Sequence, residues 1–201
     1  MARAAWQAGY RREDGDLMAI TRHKLVQLGY VTRDMEAAVD HWVTTAGAGP
    51  FYYADYEPER QMYRGQPTQI RFRVAYGFLG DVHIEVIQQL EGGASAYTEA
   101  LEQASSVPVG GLFHHMLFLH DGYDASCDAY LAAGATPCYS AFVEGVGRFC
   151  YLDARPLTGC FVEFVEDTSF FEACCVKMRE AHLGWDGRNP RRTLDEVIAQ
   201  L

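Results

Sequence analysis

The run Gly111-Leu-Phe-His114-His115-Met-Leu-Phe-Leu-His120 constrains this chain more than any other stretch. Leu112, Phe113, Met116, Leu117, Phe118 and Leu119 form a short apolar run opened by Gly110-Gly111, which predicts a strand covered on both faces. Two imidazoles inside such a strand must be paired or bound, because a polar group without a partner is costly there. The same order of elements occurs twice: a strand, a helix, then strands ending in one with an interior glutamate. His115 stands where the second copy begins.

In the first copy, His23 to Thr32 reads as a strand. Asp34 then caps a helix with Met35, Ala38, Val39 and Trp42 on one face, and Gly47-Ala-Gly-Pro50 stops it. Strands follow at 51–56, 70–76 and 82–89, with 57–67 a polar loop. A connector over 91–109 holds a short helix at 97–103. The second copy gives a strand at 113–120, a helix at 123–133 and strands at 135–143, 148–153 and 159–166. Val26-Gln27-Leu28 aligns with His114-His115-Met116, and the stretch around Glu85 with that around Glu163. Gln27 therefore pairs with His115, and Glu85 with Glu163. Two capping boxes, Ser169 to Glu172 and Thr193 to Glu196, open C-terminal helices. The stripe Phe171, Cys174, Cys175, Met178 and His182 reads as packing, and Leu194, Val197, Ile198 and Leu201 share a face of the last helix. The divisions are an N-terminal extension (1–22), a first βαβββ module with its connector (23–110), a second βαβββ module (111–166) and C-terminal helices (167–201).

The formal charge of −10 argues against non-specific binding to nucleic acid or anionic membranes. No apolar run approaches the roughly 18 residues of a membrane span, and Met1-Ala-Arg-Ala-Ala-Trp leads into no signal-peptide core. The expected location is cytoplasmic. None of the six cysteines forms a C-x-x-C pair; they read as small core residues.

Glu85 lies between Ile84 and Val86, and Glu163 between Val162 and Phe164. A lone glutamate in an alternating strand belongs on the solvent face, and a lone histidine in an apolar one is a core residue. The set changes that. If the two sheets curve toward each other, Gln27, Glu85, His115 and Glu163 converge on one cavity, and two carboxylates, an imidazole and an amide suit a divalent cation. Alternation puts His114 on the face opposite His115, in a structural role against helices. Arg71 and Arg73 share a face. They read as salt-bridged rather than as a site for an anionic substrate.

The segments Leu28-Gly-Tyr-Val-Thr-Arg-Asp34-Met-Glu-Ala-Ala-Val, Ile84-Glu-Val-Ile-Gln88, Gly111-Leu-Phe-His-His115-Met-Leu-Phe and Phe161-Val-Glu163-Phe, in this order, resemble the vicinal-oxygen-chelate superfamily, the glyoxalase, bleomycin-resistance and dioxygenase group. The resemblance implies an α+β fold in which two tandem βαβββ modules form a curved, barrel-like cup of mixed sheet. By position it implies Gln27, Glu85, His115 and Glu163 as metal ligands, a set used by glyoxalase I enzymes. Zinc is the first choice of ion, with nickel, manganese, cobalt or iron able to replace it. The expected chemistry is that of an isomerase or lyase taking a proton α to a metal-bound carbonyl of a small molecule, with Glu163 as first candidate base and Glu85 as second. Residues 49–70 show no match to glutathione-binding positions. The alternatives are a ring-cleaving dioxygenase, against which Gln27 counts because it replaces a histidine ligand, and a small-molecule binding protein without catalysis. Related proteins are often dimers, and a homodimer is expected.

Overall fold

Alternating side chains, one toward a helix and the next toward an interior, set the architecture. The computed structural model describes residues 23–201, and the extension expected over 1–22 lies outside them. The first copy runs β1 (Lys24–Val31), α1 (Met35–His41) with a π-helical turn after it, β2 (Phe51–Tyr56), β3 (Glu59–Tyr63), β4 (Gln66–Pro67), β5 (Ile70–Leu79) and β6 (Val82–Gly92). Then α2 (Ala96–Gln103) leads to β7 (Leu112–Leu119), α3 (Tyr123–Ala132), β8 (Thr136–Val143), β9 (Gly147–Asp153), α4 (Arg155–Thr158) and β10 (Phe161–Val165). The last elements are α5 (Thr168–Leu183), β11 (Arg191–Thr193) and α6 (Asp195–Ile198).

The strands form one mixed sheet in the order β11-β2-β5-β6-β1-β7-β10-β9-β8-β3-β4. β1 and β7 pair antiparallel at the centre, and each has its own copy's last strand as a parallel neighbour, β6 and β10. Only Glu57 and Pro58 separate β2 from β3, yet these strands lie near opposite ends of the sheet. Three residue steps reach at most about 11 Å, so the sheet must curl until its ends approach. The result is a curved, unclosed cup.

Helices α1 and α3 cover the outside. Met35, Ala38 and Val39 of α1 pack on Ala75, Ile84 and Val86, while Tyr123, Cys127 and Tyr130 of α3 pack on Cys150, Leu152, Val162 and Phe164. With those positions outward, period-two alternation turns His83 and Glu85, Phe149 and Tyr151, and Glu163 into the cup. Asp34 caps α1 as expected, accepting from the Ala37 amide at 3.0 Å. Arg71 and Arg73 are paired with Asp55, and Arg71 also with Glu91. The cysteines are free and at least partly buried. Among the described residues no helix is long and apolar enough to cross a membrane.

Three expectations need correction. The segment 57–67 is not a loop but the β3–β4 hairpin, which pairs with β8 of the other copy. Its partner strand lies more than seventy residues away, so local polarity gives no sign of it. The cap of α5 is Asp167, whose carboxylate accepts from the Ser169 amide, rather than Ser169. The terminal helix is a single turn; Leu194 and Val197 are buried but Ile198 and Leu201 are exposed.

The hairpin is held by polar groups. Buried Gln61 donates to the Pro58 and Ile70 carbonyls and accepts from the Ile70 amide and the Tyr139 hydroxyl. Glu99 of α2 accepts from Tyr63, Arg64 and Arg155 at 2.6–2.7 Å, and Asp153 shares both arginines. The Arg64 guanidinium, foremost among these partners, holds the Glu99 carboxyl down at about 2. Glu99→Gln is expected to lower stability by about 2 kcal/mol, less than for a fully buried pair because both arginines are partly hydrated. Urea unfolding at neutral pH measures it; an unchanged midpoint would show that the network adds nothing net.

Candidate metal centre

Register brings the four sequence-predicted residues together. Gly29 lies beside Glu85 on one side and beside His115 on the other. One step along, Gln27 and Glu163 both register with Leu117. The Nε2 atom of His115 sits 3.0 Å from Oε2 of Glu85 and 2.9 Å from Oε2 of Glu163. One donor atom from each of the three lies within 4.8 Å of the others. Gln27 is fully buried, and with Glu85 and Glu163 it lines the cavity inside the cup.

The polar atoms at this point lack hydrogen-bond partners. Both side-chain atoms of Gln27, Oε2 of Glu85, Nε2 of His115 and Oε2 of Glu163 are buried without one. The carboxylate oxygens lie within 3.0 Å of Nε2 without completing a hydrogen bond to it. Buried polar groups are normally satisfied, and four of these atoms, all but the Gln27 amide nitrogen, which only donates, fit the ligand set of a cation. The donors, one imidazole, two carboxylates and an amide oxygen, are those of a borderline divalent ion.

His114 departs from expectation. It does not lie on the opposite face, because β1 and β7 slip register between Gly29 and Tyr30, leaving His114 as an unpaired bulge residue. Its ring therefore turns to the same side as that of His115, and both pack on Tyr151. His114 Nε2 faces the Ala96 carbonyl at 3.2 Å, and the two Nδ1 atoms are 2.9 Å apart. A carbonyl only accepts, so Nε2 of His114 carries its proton. Burial, and then the neighbouring His115, push the His114 pKa well below its ordinary value, so the ring is neutral and its Nδ1 accepts. Hence His115 donates from Nδ1 and presents Nε2 to the carboxylates. This outer partner fixes the tautomer a metal ligand needs.

Charge is finely balanced. Burial opposes an imidazolium at His115, but the carboxylates, Glu163 first, outweigh it and hold its pKa up at about 9. Burial raises the Glu85 carboxyl above the usual range against the pull of His115. The Gln27 amide is near enough to favour the charged form of Glu85, although neither of its polar atoms completes a hydrogen bond.

Gly29, His114, Tyr151 and His83 belong to the surroundings of this site, and sequence reading passed over all but His114. A signal existed for Gly29: it is the one residue without a side chain in a strand that otherwise alternates.

A family model for the Glyoxalase/Bleomycin resistance protein/Dioxygenase superfamily matches residues 26–151. No curated protein sequence matches the chain. Among solved structures, a hypothetical protein from Bacillus halodurans is 15% identical, over 72% of this chain and 94% of its own, with a TM-score of 0.47. Methylmalonyl-CoA epimerase from Mycobacterium tuberculosis is 16% identical, over 74% and 91%, at 0.47. A variant of 4-hydroxymandelate synthase from Streptomyces coelicolor is 16% identical, over 73% of this chain and 39% of that one, at 0.49.

Proposed function

The chain belongs to the glyoxalase/bleomycin resistance protein/dioxygenase superfamily, and from that premise we propose that it is a metal-dependent isomerase or lyase that removes a proton α to a carbonyl of a small molecule. The observation that carries the reading is the cluster of buried polar atoms of Gln27, Glu85, His115 and Glu163 that face one another without hydrogen-bond partners. These four residues would hold a divalent ion: zinc first, given the imidazole and carboxylate donors, with nickel, manganese, cobalt and iron able to take the same set. When bound, the ion would act as a Lewis acid, stabilising negative charge on the carbonyl oxygen.

The chain's own residues do the rest. Glu163 takes the α-proton, and Glu85, held on the neighbouring copy's last strand, is the second carboxylate able to receive or return one. The raised pKa of Glu85 lets it keep a proton at a pH where an exposed glutamate has lost it. His114 holds the His115 ring in orientation through the Nδ1 contact. Tyr151 and the apolar wall exclude water from the reacting carbon. Gln27 in place of a second histidine counts against ring cleavage by dioxygen; oxygen uptake with catechol is the assay that would favour it.

Elemental analysis of protein purified without chelator is expected to find one divalent ion per chain. If none is found and none binds on titration, the reading fails. Gln27→His should keep metal binding and shift metal preference. Gln27→Leu should weaken it about tenfold, and Glu85→Gln or Glu163→Gln about a hundredfold or more, since each removes a full charge from the ion. Equal losses for all three would contradict the assigned order. We also read the protein as a homodimer, which a monomeric mass by light scattering would reject.

A further inference from the structure

The cup is chemically lopsided. Its cavity offers about 90 Å³ to the centres of water-sized molecules. Among the described residues, eight tyrosine or phenylalanine side chains line it, and no lysine or arginine does. Phe170, Phe171, Cys174 and Met178 of α5 form part of the wall, with Leu194 beyond them. The only full charges that the described residues place in the lining are the carboxylates of Glu85 and Glu163. An outer hollow shares Tyr56, Val143, Val146, Phe170 and Leu194 with this cavity and adds Asp55, Glu144 and Asp195. Its one cationic lining residue, Arg73, is already bonded to Asp55 at 2.6 and 3.0 Å. A molecule entering here passes carboxylates and then loses its water among aromatic rings. Among the described residues, an anion beyond what a metal neutralises has no partner on that path.

The far wall carries one unexplained polar atom. His83 is 1% exposed and lines the cavity, and its Nε2 has no partner. Its Nδ1 has only the Cys175 sulfur, at 4.0 Å. The ring lies nearly parallel to that of Tyr76, centroids 5.6 Å apart, and is flanked by Phe78 and Phe171. His83 precedes Glu85 by two residues on the same face of β6, a separation of about 7 Å along the strand, about the reach of a benzene ring with its para substituent. A buried nitrogen without a partner costs stability unless a ligand bonds it.

We propose that the cup takes a small, uncharged, mainly aromatic carbonyl compound, held at one end by the Glu85–His115–Glu163 centre and at the other by a hydrogen bond to His83 Nε2. Acyl thioesters of nucleotide carriers and anionic peptide thiols fall outside this class. The inference rests on the metal-centred reading above.

Three planar metal chelators test it by calorimetry on the metal-loaded full chain at pH 7: benzohydroxamic acid and its 4-hydroxy and 4-carboxy derivatives. The 4-carboxy compound is expected to bind at least tenfold more weakly than the parent, and the 4-hydroxy compound about five- to tenfold more tightly. His83→Phe, which keeps a ring in the wall, should erase the 4-hydroxy advantage without changing affinity for the parent. His83→Gln should retain part of it. A 4-carboxy compound that binds as well as the parent overturns the uncharged class, a result that needs no variant and no intact fold beyond the wild type. A 4-hydroxy advantage that survives His83→Phe overturns the role of His83. If the ion is loaded and no hydroxamate binds, the substrate class is overturned while the metal-centred reading stands; if no ion loads, the metal-centred reading itself fails and the substrate class falls with it.

Discussion

Gly29→Ala is expected to abolish stoichiometric binding of a divalent ion while leaving the sheet folded. A Cβ at Gly29 would stand 1.9 Å from Cε1 of His115 and 2.3 Å from each of its ring nitrogens. No side chain tolerates that approach, so the imidazole must leave. It cannot tilt freely, since Tyr151 packs on it with centroids 4.9 Å apart and His114 holds its Nδ1 at 2.9 Å. The ring of His115, not the internal repeat, explains why glycine stands here. Gln27 and His115 are equivalent, so the position two residues beyond each, Gly29 and Leu117, is equivalent too. The side chains at the two positions nevertheless differ, and the bulky ring of His115 lies over the one without a Cβ. Overpacking of this kind costs about 1–3 kcal/mol, and displacing one ligand should lower metal affinity about a hundredfold. Metal content and a thermal melt measure the two effects separately. Retention of a full equivalent of metal by a folded Gly29→Ala protein would show that His115 is not where the ion binds.

Period-two alternation made much of this site legible. Ile84 and Val86 around Glu85, and Val162 and Phe164 around Glu163, look like a solvent-facing glutamate in an apolar strand until the repeat pairs the two positions. Helices α1 and α3 then claim the apolar neighbours, and the glutamates have only the cup to face. His115 and Gln27 followed from the same pairing. The misplaced residues are those governed by interactions between distant segments. His114 broke the alternation because a bulge depends on how β1 meets β7, which neither strand shows alone. The β3–β4 hairpin was hidden because its stability comes from β8 and from a carboxylate on α2. His83 looked like one more residue of a strand; its lack of a partner is visible only once Tyr76, Phe78 and Phe171 surround it.

Metal affinity should rise steeply with pH, and the metal-free protein should become less stable over the same range. With no ion present, His115 is the only cation facing Glu85 and Glu163 within their group, and these carboxylates hold its pKa up at about 9 against burial. An unfolded histidine titrates near 6.5. Because the folded value is the higher, the stabilisation is fully present below about 6.5 and is lost as the pH rises through about 9. The melting temperature of metal-free protein should therefore fall between those values. A metal ligand must be deprotonated, so an ion displaces this proton. Affinity should climb about tenfold per pH unit, about a hundredfold between pH 7 and pH 9, then level off. The raised carboxyl of Glu85 works in the same direction at lower pH, since it too must lose its proton to bind. Calorimetric titration of the metal-free protein in buffers of different ionisation enthalpy counts the protons released. About one proton per ion at pH 7, vanishing above pH 9, is the expected result, and it should disappear in His115→Gln, where the group that titrates is gone. No proton release at pH 7 would mean that His115 is already neutral between two carboxylates, and the electrostatic account of the site would then be wrong.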